Sequence, residues 1–226
     1  MDGRRLGALR AMGIPVWVRR DLPGEPADGA GPGPDVAAMD WPELEATVAA
    51  CVRCPLYAGR TRTVFGVGNR AADLMVIGEA PGAEEDRRGE PFVGRAGRLL
   101  DSMLAALGLD RTTVYIANVL KCRPPENRDP RPEEARACAP YLDRQIALLA
   151  PKLILAVGRI AAQRLLETDA SLGRMRGRVH RYGEPGVPVM VTYHPAYLLR
   201  NPQAKAEAWR DLVEAARRVR EAGQAA

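Results

Sequence analysis

Asp73-Leu-Met-Val-Ile-Gly78, running straight into Glu79-Ala-Pro-Gly82, is the stretch that decides the fold. Four consecutive apolar residues closed by a glycine read as a short strand buried on both faces. Similar runs recur at Val114–Leu120, Leu153–Val157 and Val187–Thr192. Helical patterns lie between them. Ala96–Leu107 carries Leu99, Leu100, Met103, Leu104 and Leu107 before the stop at Gly108. Pro132–Ala150 opens on Pro-Glu-Glu and ends at Pro151, a helix follows the third strand to Glu167, and Asn201–Ala222 forms the last. Strand alternating with helix predicts an α/β fold with a parallel sheet covered on both sides. Ligands of such folds bind at the carboxyl ends of the strands, so Glu79, Asn118 and His194 become the first candidates.

Composition agrees with a folded catalytic or binding domain. The 226 residues are 46% hydrophobic and 27% charged. No apolar run approaches the length of a membrane span, and the charged first 20 residues lack a signal peptide's apolar core, so a cytoplasmic location without membrane contact is expected. Residues 21–40 hold eight Gly or Pro, which reads as a linker after a short amphipathic piece (Leu6, Leu9, Met12, Val16, Trp17). The main domain is expected over 41–226, with 1–40 as an extension. Charge divides the same way. Residues 1–50 have five Arg against eight acids, a sum of −3, whereas 51–226 have 28 basic and 20 acidic residues, a sum of +8. A basic folded part suits a polyanion or is simply well solvated. Its densest run, Arg174, Arg176, Arg178, His180 and Arg181, is interrupted by glycines and reads as a loop or hairpin.

Chemistry is narrowed by scarcity: four cysteines and two histidines. Cys51 and Cys54 form a C-x2-C pair, and Cys122 and Cys138 lie 16 positions apart. Zinc and an iron–sulfur cluster both accept four thiolates, and four unligated thiols are the third reading. The Gly78–Gly82 loop continues to Phe92, Gly94 and Gly97 but carries no Walker lysine and no dinucleotide fingerprint. Phe92 in a loop reads as a local staple or a ligand platform. Asn118 is a turn former or a base-edge reader, since its amide offers one acceptor and a donor group. A lone His is ordinarily structural, but His194 shares the expected ligand face with Glu79 and Asn118. Leu198, Leu199 and Arg200 follow on an expected exposed loop, where a leucine packs inward or wedges between bases.

Taken together, Gly78-Glu-Ala-Pro-Gly82 with the later Pro91-Phe-Val-Gly-Arg-Ala-Gly97, Asn118-Val-Leu-Lys-Cys-Arg-Pro-Pro-Glu-Asn-Arg128, His194-Pro-Ala-Tyr-Leu-Leu-Arg-Asn-Pro202 and the cysteine spacing resemble family 4 uracil-DNA glycosylases. The resemblance runs from about Trp41 to the last helix. It implies a three-layer α/β/α sandwich around a central four-stranded parallel sheet. It implies that Cys51, Cys54, Cys122 and Cys138 hold a structural [4Fe–4S] cluster. The implied reaction is hydrolysis of the N-glycosidic bond of uracil flipped from single- or double-stranded DNA, by a monomer. In that picture Phe92 stacks on uracil, Asn118 reads its edge, and His194 stabilises the leaving base. Glu79 positions water or sugar, and Asn127 orders the loop or the water. Gly78, Ala80 and Gly82 line the pocket; Ala80 stands where better-known uracil glycosylases carry a water-activating Asp, and Gly82 where they carry the aromatic that excludes thymine. Glu85 is then expected to guard the C5 position. Leu198, Leu199, Arg200 and Arg176 are expected on the DNA. Two other readings remain: a superfamily member that traps its product covalently, against which stands the absence of His between Cys122 and Cys138, and a non-catalytic iron–sulfur DNA-binding protein.

Overall fold

The computed structural model describes residues 35–184 and 186–224; the expected N-terminal amphipathic piece and most of the linker lie outside them. From Val36 onward the chain forms one unit. Val36 is buried, in the same apolar cluster as Leu44, Val48 and Tyr141. The first helix, α1 (Trp41–Ala49), is opened by a reciprocal cap: Glu43 N donates to Asp40 Oδ1 at 2.9 Å and Asp40 N to Glu43 Oε2 at 3.0 Å.

The expected α/β class holds, but the sheet has six strands rather than four. They are β1 (Val67–Gly68), β2 (Leu74–Gly78), β3 (Tyr115–Asn118), β4 (Leu153–Val157), β5 (Val179–Tyr182) and β6 (Val187–Thr192), in spatial order β1-β3-β2-β4-β6-β5. The four inner strands are the parallel set foreseen, and β1 and β5 add antiparallel edges. Both edges lack the apolar signature. β1 is two residues long, and β5 is Val-His-Arg-Tyr, alternately exposed and half-buried. The end of the basic run, His180 and Arg181, thus lies in one arm of a hairpin with β6, as its glycines suggested, whereas Arg174 lies in a short helix before it.

Strand alternation builds the layers. Met75, Ile77, Ala117, Ile154, Ala156, Val189 and Val191 face one side of the sheet. There they meet Leu142, Ile146 and Leu149 of α4 (Pro132–Leu149) and Ala161, Ala162 and Leu165 of α5 (Arg159–Leu166). Leu74, Val76, Ile116, Leu153, Leu155, Val157 and Met190 face the other, against Leu100 and Leu104 of α3 (Arg95–Ala105) and Ala208, Leu212 and Ala215 of α8 (Lys205–Gln224). Short helices α2 (Ala83–Arg88), α6 (Leu172–Met175) and α7 (Pro195–Arg200) complete the set. Gly78 pairs in register with Asn118, and Val157 with Thr192, so all four parallel strands end along one edge.

Candidate active site

At that edge an open cleft of about 470 Å³ is lined by Glu79, Ala80, Gly82, Glu85, Phe92, Ala96, Asn118, Asn127, Asp129, His194, Ala196, Tyr197 and Arg200. The cleft thus gathers the expected catalytic and base-binding residues except Gly78, together with Arg200. Gly78 lies beneath it: a Cβ there would meet both Asn118 Oδ1 and Phe92 Cζ at 2.5 Å, so only glycine lets the amide and the ring close over the strand end.

Asn118 is 1% exposed, and its Oδ1 is the single buried side-chain oxygen or nitrogen among the described residues with no hydrogen-bond partner. A buried acceptor left unpaired costs free energy, on the order of 1–3 kcal/mol, unless a ligand supplies a donor. Its backbone is firmly tied. The Asn118 carbonyl accepts from Lys121 Nζ at 2.9 Å, and that fully buried ammonium also donates to Gln145 Oε1 at 2.6 Å.

His194 caps α7, its Nδ1 accepting from Ala196 N at 3.1 Å. An accepting Nδ1 fixes the proton of the neutral ring on Nε2, which makes no hydrogen bond to the described residues. Burial, aided by the nearby Arg200 guanidinium and opposed by Glu85, pushes its pKa down to about 4. The ring is therefore a neutral donor at neutral pH. It lies 5.6 Å from the Phe92 ring, centroid to centroid, at 30°.

Phe92 holds a left-handed backbone, φ 55°, rare for a bulky residue. Two brackets keep it there. Arg111 donates to the carbonyls of Pro91 (2.9 Å) and Phe92 and is anchored to Glu90 and Asp101 at 2.9 and 2.8 Å. On the other side Glu85 Oε1 accepts from Val93 N and Gly94 N, both at 2.9 Å. Gly97 completes the arrangement, for a Cβ there would fall 1.6 Å from the Phe92 oxygen.

Glu79 is half-buried, and its pKa rises to about 7, chiefly through burial and secondarily through Asp129, with Arg159 opposing. Asp129 is paired to Arg159 at 2.8 Å. Asn127, also left-handed at φ 55°, accepts from Arg123 Nε at 2.8 Å. Sequence reading missed Asp129, Arg111 and Tyr197. Asp129 stood two positions from Asn127 in a loop already flagged, and was the findable one; Arg111 precedes a strand in a polar turn and gave no signal.

Two residues expected on the DNA, Leu198 and Arg176, sit differently from what the sequence suggested. The segment Leu198–Arg200 is helix, not exposed loop, and Leu198 is 1% exposed, packed with residues of α3 and α8. Arg176 is 11% exposed at its side chain and ion-paired to Asp211 (2.8 Å) and Glu207 (2.5 Å). Its charge is neutralised within the fold. Leu199 and Arg200 remain exposed. His180 is ordinary, its Nε2 against the Met175 carbonyl at 2.7 Å.

The four cysteines line a second, small cavity with Val48, Leu56, Arg60, Leu120 and Tyr141. No disulfide joins them. Cys122 Sγ accepts from Arg60 Nη1 and Cys138 Sγ from Lys121 N, both at 3.3 Å, the kind of N–H···S contact that favours thiolate. Burial chiefly, with neighbouring thiols adding to it, pushes the thiols of Cys54, Cys122 and Cys138 up, the last to about 12, and a bound cation would favour their thiolates. Among the described residues no three such side chains converge closely enough for a single ion, although all four share the cavity. Four thiols around one cavity are the donor set that zinc and an iron–sulfur cluster both accept.

Comparison with known proteins agrees with this geometry. The uracil DNA glycosylase superfamily model matches residues 65–213. A type-4 uracil-DNA glycosylase of Archaeoglobus fulgidus is 47% identical over 167 residues, covering 71% of this chain and 83% of that protein. One from Pyrobaculum aerophilum is 44% identical over 180 residues, 77% of this chain and 92% of that protein. One from Thermotoga maritima is 46% identical over 156 residues, 68% and 80% respectively. With an α/β sheet ending on a cleft of these residues, the chain belongs to the uracil DNA glycosylase superfamily, among its type-4 members.

Proposed function

We propose that the chain hydrolyses the N-glycosidic bond of uracil extruded from DNA and leaves an abasic site. The observation that carries this is the buried, unpartnered Oδ1 of Asn118. Uracil N3–H satisfies it, and the amide Nδ2 then donates to O4. Cytosine presents the reverse pattern and would leave both amide atoms facing their own kind. Phe92 stacks on the base, and the Glu85 carboxylate stands against a C5 methyl. Extrusion costs a few kcal/mol, which base contacts and exposed cations such as Arg200 offset.

As the C1′–N1 bond breaks, electrons move onto the base and charge grows on uracil O2. The Nε2–H of neutral His194 donates there, in a site already oriented for it. The sugar is left electron-deficient at C1′ and is attacked by water. Ionised Glu79 accepts the water proton, with Asn127 and Asp129 beside it. Cys51, Cys54, Cys122 and Cys138 would hold a [4Fe–4S] cluster that ties the start of the domain to α4 and supplies rigidity rather than electrons. The same reading makes 41–226 the catalytic part and 1–40 an appendage. It also makes the protein a cytoplasmic monomer acting on single- or double-stranded uracil-containing DNA, and no described helix is long and apolar enough to cross a membrane.

The test is a single-uracil oligonucleotide treated with protein and then alkali. Strand scission at uracil is expected and none at cytosine. Intact strands with cluster-loaded protein refute the reading, and an adduct surviving denaturation indicates covalent trapping instead.

A further inference from the structure

With Leu198 buried, the residue that α7 offers to DNA must be another. Tyr197 is 39% exposed and lines the cleft beside Arg200. One face of its ring is covered: Tyr193 stacks on it with centroids 5.0 Å apart and planes at 16°. Behind Tyr193 lies the Arg176 guanidinium, 4.0 Å from the ring centroid. Arg176 is fixed by Asp211 and Glu207, and Tyr193 itself donates to Glu207 at 3.1 Å. Asp211 is further held by Thr192 Oγ1 at 2.8 Å. A buried carboxylate, a guanidinium and two aromatic rings thus form a braced column whose outermost member reaches the mouth of the uracil cleft. An exposed aromatic ordinarily loses rotamer freedom on binding; this one is already fixed by the column.

We infer that Tyr197 is a stacking platform for the nucleobase adjoining the extruded uracil in the same DNA strand, with Arg200 beside it for a phosphate. The inference rests on the proposed glycosylase reading and deepens it. Every base has a π face, so such a platform serves any flanking sequence. It also explains why Arg176, in the basic run, is turned inward: it backs the stack instead of meeting the DNA.

The experiment uses the full, cluster-loaded protein and a single-stranded oligonucleotide with one uracil. Tyr197→Ala is expected to raise KM about 5- to 150-fold, the range of one base–aromatic stack. Inhibition by free uracil should stay within about twofold, because the base pocket is untouched. Tyr197→Phe, which keeps the ring, should restore KM, and Tyr197→Leu, which keeps bulk without a π face, should not. With 2-aminopurine next to a non-hydrolysable 2′-fluorinated deoxyuridine, binding should quench fluorescence in the wild type and Phe variant and not in the Ala and Leu variants. An unchanged KM in Tyr197→Ala overturns the inference, as does a parallel loss of uracil inhibition, which would make Tyr197 a wall of the base pocket. Failure of the wild type to release uracil at all would strike the glycosylase reading instead.

Discussion

Two titratable groups in the cleft have been displaced in opposite directions by the same burial. Glu79 is raised to about 7 and His194 lowered to about 4. If water activation needs ionised Glu79, kcat should rise with pH through about 7, and Glu79→Gln should lower kcat and flatten that limb. His194 stays neutral throughout, so no limb belongs to it until about pH 4. The linkage to stability has a definite sign. Glu79 binds more protons folded than unfolded between about 4.5 and 7, so it lowers stability as pH rises through that window. Glu79→Gln should therefore be more stable than the wild type at pH 8, read by thermal unfolding. His194 binds fewer protons folded than unfolded between about 6.5 and 4, so its stabilising share is lost as pH falls through that range. Arg111 acts at one remove, through the Phe92 carbonyl. Arg111→Met should weaken uracil inhibition about tenfold, the scale of one charge-assisted hydrogen bond lost. In a Phe92→Ala background it should have little further effect, because a residue working through Phe92 is non-additive with it. Additive losses would show that Arg111 serves only the fold.

Among the elements, the loop between β3 and α4 is tied down by one buried carboxylate. Glu134, 2% exposed in the first turn of α4, accepts from Arg128 at 2.5 and 2.8 Å and from Arg131 N at 2.8 Å. That triangle holds the segment bearing Asn127 and Asp129, where Glu126 and Asn127 are both left-handed. Removing one partner of a nearly buried, multiply bonded carboxylate leaves the other uncompensated, so Glu134→Ala should cost about 3 kcal/mol by denaturant unfolding and reduce kcat more than it raises KM. The sequence showed the strands and helices around this loop because burial on both faces imprints continuous apolar runs and the helices keep their period. It showed Glu79, Asn118 and His194 because their strands end where ligands bind. It hid β1 and β5, whose pairing is decided by neighbours and not by their own residues. It hid the inward turn of Arg176 and Leu198, because a basic run and a leucine pair look the same whether they face water or the core.

For the whole molecule, the four thiols join segments that the sheet does not. Cys51 and Cys54 follow α1, whereas Cys122 lies in the loop after β3 and Cys138 within α4. Their N–H···S partners extend the link inward, since Lys121 donates from its backbone to Cys138 and from its side chain to Asn118. Cys138→Ser should abolish the visible absorption of a cluster, lower the thermal midpoint, and expose residues 36–60 to protease before the sheet. Retained colour with an unchanged midpoint would show that the thiols are not its ligands.

The strand order carries one more consequence. Phe92 and Asn118 belong to the part of the chain that builds β2 and β3, whereas His194 follows β6, with β4 and Gly158 between. The part proposed to read the base and the part proposed to expel it are therefore encoded in separate lengths of polypeptide, which meet along the β2–β4–β6 seam and where α3 and Phe92 pack against α7 and His194. Two fragments parted in the β5–β6 hairpin or before it would each be chemically mute, the one able to choose a base and the other able to charge it. Activity recovered on mixing them would count completed sheets.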